Sequence, residues 1–143
     1  EVLAEIEKEY GAEPVRPSHR YMTEVELQKL ARSQYITIGG HTVTHSCLSV
    51  LSREKQREEI EGSVCCLEKM MNKKVTTFSY PFGGREDYNA DSVAIVREMN
   101  LKTASNFSGR VYRHTSLHEL PRMIVRNWDW TTFPVMFQPF WYH

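Results

Sequence analysis

Neither sign of charge prevails in this sequence: 18 lysines and arginines balance 18 aspartates and glutamates, leaving a formal net charge of zero with histidine neutral. No basic field invites nucleic acid, and no acidic excess points to a solvating tail. Apolar runs are short as well. None approaches the ~20 residues that a helix needs to cross a bilayer, and the opening EVLAEIEKEY is charged where a signal peptide would be apolar, so no transmembrane segment is expected. Cysteine is scarce. Cys47, Cys65 and Cys66 cannot all pair internally and lack the CxxC spacing of a structural zinc site, so they read as core or surface thiols. Internal repeats, low-complexity tracts and an evident linker are missing too. What remains, at 143 residues, is the length of one domain with a core of its own.

In MTEVELQKLARSQ, Thr23 is followed three residues later by Glu26, a capping box that predicts a helix from near Thr23. YITIGG, residues 35–40, reads as a short buried strand ending at two glycines, where the backbone can turn sharply. Ser52 can cap a helix through REKQREEIEGSVCCLEKMMNKK, in which Ile60, Val64, Leu67 and Met71 recur at helical spacing. VTTFSY is β-rich and stops at PFGG, because Pro81 cannot donate to a ladder. NADSVAIVREMN fits another helix and KTASNF another strand; SGRVYRHTSLHELP is irregular, and RMIVRNWDW reads as a last short strand. Alternating helices and strands predict the α/β class with a mainly parallel sheet. In such folds sites gather beyond the carboxyl ends of strands, where both GGHTVTH and SYPFGG fall.

GGHTVTH sets His41 and His45 four residues apart. If residues 41–45 form a helical turn, the two imidazoles lie on one face and can converge on one ion. Zinc or a similar borderline metal suits them, with a carboxylate as third ligand and one position open for water and substrate. Such a metal lowers the pKa of bound water and polarises a carbonyl. The spacing alone also fits a plainer arrangement, in which one histidine hydrogen-bonds the backbone and the other is exposed.

The run IGGHTVTHSCLSVLS, the amphipathic helix after it and then FSYPFGG together resemble the polysaccharide deacetylase family, also called the NodB-homology or carbohydrate esterase family 4 group. The likeness runs from about Tyr21 to Asp129. In that family an H-[ST]-x-x-H motif supplies two metal-binding histidines, and a later R-x-P-[FY]-G-like motif lines the substrate groove. The resemblance implies that His41 and His45 are metal ligands and that Tyr80, Pro81, Phe82 and Gly83 form part of the groove. It also implies a metal-dependent hydrolase acting on a carbon–nitrogen bond other than a peptide bond, which removes N-acetyl (or O-acetyl) groups from a polysaccharide. Zinc is the metal expected, with cobalt or nickel as substitutes, and the cell envelope or another extracytoplasmic place the setting.

This sequence departs from the family pattern in three places. The first motif, like T-F-D-D-G, which provides a catalytic-base aspartate and a metal-ligand aspartate, has no counterpart. By resemblance, residues 1–143 are therefore one domain, the C-terminal part of a deacetylase: a partial (β/α) barrel lacking its N-terminal strand or strands, by itself inactive, with open sheet edges that favour a homo-oligomer. The Arg that opens the third motif in many members is Ser79. In a subset with the YPFG form a later LPR motif replaces it, matched here by Leu120, Pro121 and Arg122, so Arg122 could orient the missing base; a solvated surface arginine is the alternative. The late histidine, the general acid in many members, has no clear counterpart, and His114 and His118 read as loop residues. In RNWDW, Trp128 or Trp130 can stack on a sugar face or pack in the core. The aromatic ending FPVMFQPFWYH can cover exposed sheet or mediate self-association. A competing class is a non-catalytic remnant that binds carbohydrate or serves assembly; an in-frame T-F-D-D-like segment upstream of Glu1 would decide against it.

Overall fold

The computed structural model of the chain describes residues 20–106, 111–122, 127 and 129–135. Its elements are α1 (Glu24–Ala31), a 3-10 turn at Leu48–Val50, α2 (Arg53–Met71), β1 (Thr77–Ser79), α3 (Ala90–Glu98), β2 (Thr103–Asn106) and β3 (Leu120–Pro121). Each helix starts where a side chain takes up its first free amides. Thr23 and Glu26 complete the expected capping box on α1, Ser52 accepts from the Lys55 amide on α2, and Asn89 and Ser92 form a second capping box on α3. The periodic apolar stripe of α2 ends at Asn72, whose left-handed conformation (φ 50°) stops the helix.

The sheet has the order β1-β2-β3 and is parallel throughout, with Phe78 opposite Ala104 and Ser105 opposite Leu120. Gly40 adds a single parallel bridge on the other side of β1: its N–H donates to the Thr77 carbonyl (3.0 Å) and its carbonyl accepts from Ser79 N–H (2.9 Å). The strand expected at YITIGG is thus reduced to Gly40. Tyr35 and Ile36 are exposed rather than buried, because this segment meets β1 only at its last residue. Its glycines serve close approach, not a sharp turn. A Cβ on Gly39 would lie 2.6 Å from Thr77 Oγ1, and one on Gly40 would lie 3.0 Å from both Phe78 Cδ2 and Val64 Cγ2. The last strand also moves: β3 lies at Leu120–Pro121, inside the stretch read as irregular, and residues 123–126 and 128 of the expected strand fall outside the described residues. Pro121 has no N–H to give, which suits the edge that β3 forms. The α/β class stands, but among the described residues the sheet is open and no barrel closes.

Ile60 and Val64 of α2 and Ile95 and Val96 of α3 join Leu48 of the 3-10 turn and Phe78 of β1 in one buried cluster. Burying each such side chain stabilises the fold by roughly 1.5–3 kcal/mol. Gln56 is buried with both amide atoms satisfied: Nε2 donates to the Leu51 carbonyl (3.0 Å) and Oε1 accepts from Ser92 Oγ (2.6 Å), tying α2 to α3. Cys65 and Cys66 are exposed on α2 and Cys47 is half-buried. No helix among the described residues is long and apolar enough to cross a membrane.

At the α2–α3 surface Arg53 pairs with Asp91 (2.6 Å) and Glu98 (2.7 Å), while Arg57 pairs with Glu61 (2.6 Å) and also with Glu98. The hydrogen bond from Arg57 holds the Glu98 carboxyl below its ordinary range, and the Val75 N–H does the same for Glu68. Unfolded glutamates titrate near pH ~4.3. Carboxyls depressed in the folded state contribute stability that is fully present above that pH and is lost as pH falls through the folded value. The melting temperature should therefore hold from neutral pH to about 5 and fall below about 4. Glu98→Gln should flatten the fall, a difference that thermal melts across pH 3 to 7 would read.

Candidate metal centre

His41 leaves the sheet directly after the Gly40 bridge, and its Nδ1 lies 2.6 Å from the Ser79 carbonyl oxygen. A carbonyl can only accept, so Nδ1 carries the proton and the neutral ring keeps a lone pair on Nε2. The His45 ring stands edge-on to it, with centroids 4.8 Å apart and planes at 77°. Two imidazoles that share one tetrahedral ion through N–metal bonds of ~2.1 Å have centroids about 5 Å apart, so this spacing fits a common ion. Both histidines are exposed.

The route between them is not the expected helical turn. Thr42 (φ 65°) and His45 (φ 59°) are left-handed, and residues 43–44 form a bend over α2. There the Glu59 carboxylate accepts the Val43 and Thr44 N–H groups (both 2.9 Å) and the Thr44 hydroxyl (2.8 Å). Partial burial pushes the Glu59 pKa up, but the Thr44 and Val43 donors outweigh it and hold the carboxyl below its ordinary range. Nothing in the sequence marked Glu59, one acid among the many charges of REKQREEIEG. The Thr42 hydroxyl oxygen is buried with no hydrogen-bond partner among the described residues.

The next wall follows β1. Ser79, Tyr80 and Arg122 meet because β3 delivers Arg122 to the same end of the sheet: its guanidinium donates to the Ser79 hydroxyl and to the Tyr80 carbonyl (3.3 Å). Partial burial pulls the Arg122 pKa down, though a guanidinium remains charged at any physiological pH. Tyr80 and Pro81 face the interior. The Tyr80 ring stacks on Tyr88 (4.2 Å, 8°) and its hydroxyl donates to the His118 carbonyl (2.9 Å). Burial drives the Tyr80 hydroxyl far above its ordinary pKa, so it stays protonated. Phe82 (φ 58°) and Gly83 (φ 79°) are left-handed; Gly83 is buried, whereas Phe82 is 58% exposed, with its ring 4.8 Å from that of His45. A cavity of about 300 Å³ opens beside His41, Ser79, Ala104 and Leu120.

A family model described as polysaccharide deacetylase matches residues 7–104. The chain belongs to the polysaccharide deacetylase family. Among solved structures it is similar to the Streptococcus pyogenes deacetylase PplD in complex with acetate (23% identity, TM-score 0.68, 85% of this chain and 50% of that one). It is also similar to a polysaccharide deacetylase from Bacillus cereus (20% identity, TM-score 0.69, 83% of this chain and 37% of that one). IcaB from Ammonifex degensii matches at 16% identity and TM-score 0.68, over 85% of this chain and 54% of that one. At these identities the likeness is one of fold, and the chain spans between 37% and 54% of the length of these structures. Among curated protein sequences none matches.

The remaining polar candidates in this deacetylase-family chain lie away from the histidines or are already engaged. Asp87 accepts the Gly84 N–H (2.7 Å), and its carbonyl anchors Ser49 N–H (3.1 Å). Asp129 accepts from Thr131 Oγ1 (2.6 Å) and the Thr131 and Thr132 N–H groups (3.0 and 2.7 Å), and these donors, the Thr131 hydroxyl first, pull its pKa down to about 2. His114 is exposed and stacked on Tyr112 (5.7 Å, 7°), while His118 Nε2 lies 3.0 Å from the Leu101 carbonyl. Trp130 is exposed, so core packing does not account for it. Trp128 lies outside the described residues, as do residues 136–143 of the aromatic ending. Among the described residues no three His, Cys, Asp or Glu side chains converge as metal donors.

Proposed function

We propose that this chain supplies the histidine half of a metal-dependent centre that removes N-acetyl (or O-acetyl) groups from a polysaccharide. The observation that carries this reading is the hydrogen bond from His41 Nδ1 to the Ser79 carbonyl, which reserves Nε2 as a donor 4.8 Å, ring to ring, from His45. Zinc, or cobalt or nickel in its place, would supply Lewis-acid polarisation of an acetyl carbonyl and of water. His41 and His45 would hold the ion. Phe82, exposed beside His45, offers a flat ring to the apolar face of a sugar, while the buried Tyr80, Pro81 and Gly83 fix the loop that presents it. Arg122, which donates to the Ser79 hydroxyl and the Tyr80 carbonyl, would orient a carboxylate base. Acetate, bound in the S. pyogenes deacetylase, is the product such a reaction releases. On this reading the open sheet is a sector of a (β/α) barrel, residues 1–143 are the C-terminal part of one domain, and the free sheet edges favour a homo-oligomer.

That only two ligating side chains meet among the described residues favours a second reading, a non-catalytic module that binds carbohydrate or a protein partner. Both readings keep the histidine pair. Nitrogen NMR of labelled histidines tests it: one equivalent of zinc should shift the His41 Nε2 resonance while Nδ1 keeps its proton. A shift at Nδ1 instead, or at neither nitrogen, would defeat the ligand assignment.

A further inference from the structure

The loop joining the two histidines adopts a conformation that its sequence does not favour. Thr42 is β-branched, and neither it nor His45 is glycine, yet both hold φ near +60° (65° and 59°). Such residues persist only where the surroundings over-determine them. Two features of α2 do so. Glu59 gathers three donors from Val43 and Thr44, at 2.9, 2.9 and 2.8 Å. Three residues on, and so on the same helix face, stands Gly62, where a Cβ would lie 2.9 Å from Val43 Cγ2. Glycine inside a 19-residue helix weakens it, and the approach of Val43 gives a reason for its place.

We infer that Glu59 and Gly62 form a seat on α2 that positions the loop and so sets the angle at which the His41 and His45 imidazoles meet a divalent ion. The inference rests on the reading of those histidines as ligands. Glu59 is a positioning residue rather than a third ligand, since both carboxylate oxygens are engaged: Oε2 by two amides, Oε1 by the Thr44 hydroxyl. A glutamine would keep one oxygen for the amides and lose the charge; an alanine would release the loop. An alanine at Gly62 would press on the Val43 methyl, which must turn or carry the loop outward, with the carboxylate left in place.

The test compares wild type with Glu59→Ala, Glu59→Gln and Gly62→Ala in the 143-residue chain. Without metal, Glu59→Ala should shift the Val43 and Thr44 amide resonances and change the His45 HN–Hα coupling, leaving Ile95 and Val96 where they were. With cobalt(II), titrated by its visible absorption, Glu59→Ala and Gly62→Ala should lower affinity by about 10- to 100-fold, and Glu59→Gln by less. Unmoved amides in Glu59→Ala would overturn the seat. So would a loop that moves while cobalt affinity stays at the wild-type value. Wild type that takes up no cobalt would defeat the ligand reading, and the inference with it, a result distinct from either of the other two. Glu59→Gln, close in volume to the original, and Gly62→Ala keep the test decisive if Glu59→Ala fails to fold.

Discussion

Zinc uptake by this chain should be weak, and replacing His41 and His45 together by alanine should remove it, with affinity falling by at least about 100-fold in calorimetry. The weakness follows from charge. Two imidazoles are neutral, and with no carboxylate joining them among the described residues the site offers the dication lone pairs but no opposing charge to offset its desolvation. The size of the loss follows from geometry, because each single variant leaves one imidazole and the double variant leaves none of the pair that meets at 4.8 Å. Both rings are exposed, so the double variant should melt close to wild type and the loss can be assigned to ligation. Submicromolar zinc affinity that survives in the double variant would place the ligands elsewhere in the chain.

The parts of this fold that could be read from sequence are those whose cause is local. Thr23 with Glu26 starts α1 and Ser52 starts α2, because a capping side chain and its amides lie within three residues of each other. The stripe from Ile60 to Met71 faces the core because helical spacing forces it to. What could not be read depends on partners distant in sequence. Whether YITI forms a strand depends on a neighbour, and its only ladder contact among the described residues is Gly40 on β1. The motif marks Tyr80 to Gly83 without saying which side chains face solvent; stacking on Tyr88 buries the Tyr80 ring, while Phe82 offers its ring to solvent. The same holds at the histidine pair. His41 and His45 could be picked out by spacing, but the helical turn assumed to bring them together is absent. Their approach depends instead on Glu59 and Gly62 of α2, which carry no mark of that role in the sequence.

Arg122 joins the two kinds of evidence. The family pattern offers it in place of the arginine missing at Ser79, and in the structure its guanidinium donates to the Ser79 hydroxyl and the Tyr80 carbonyl. The contact spans 43 residues of sequence and reaches across β2, the strand between β1 and β3, at one end of the parallel sheet.

Acetate release is the measurement in which the shortage of a carboxylate should show most strongly. Incubated with zinc and acetylated chito-oligosaccharides, the 143-residue chain should release no acetate above a metal-only blank. A positioned general base contributes ~10² to 10⁴-fold, and a loosely held ion compounds the loss at the same step. The described carboxylates nearest to consideration are already committed. Glu59 is held by three donors, Asp87 by the Gly84 N–H, and Asp129, with a pKa of about 2, is too weak a base for work at neutral pH. Robust turnover that disappears in His41→Ala would overturn this prediction. Asp87→Asn, Asp129→Asn and His114→Ala would then be the first variants to examine, each a described group that substrate binding would release from its present partners.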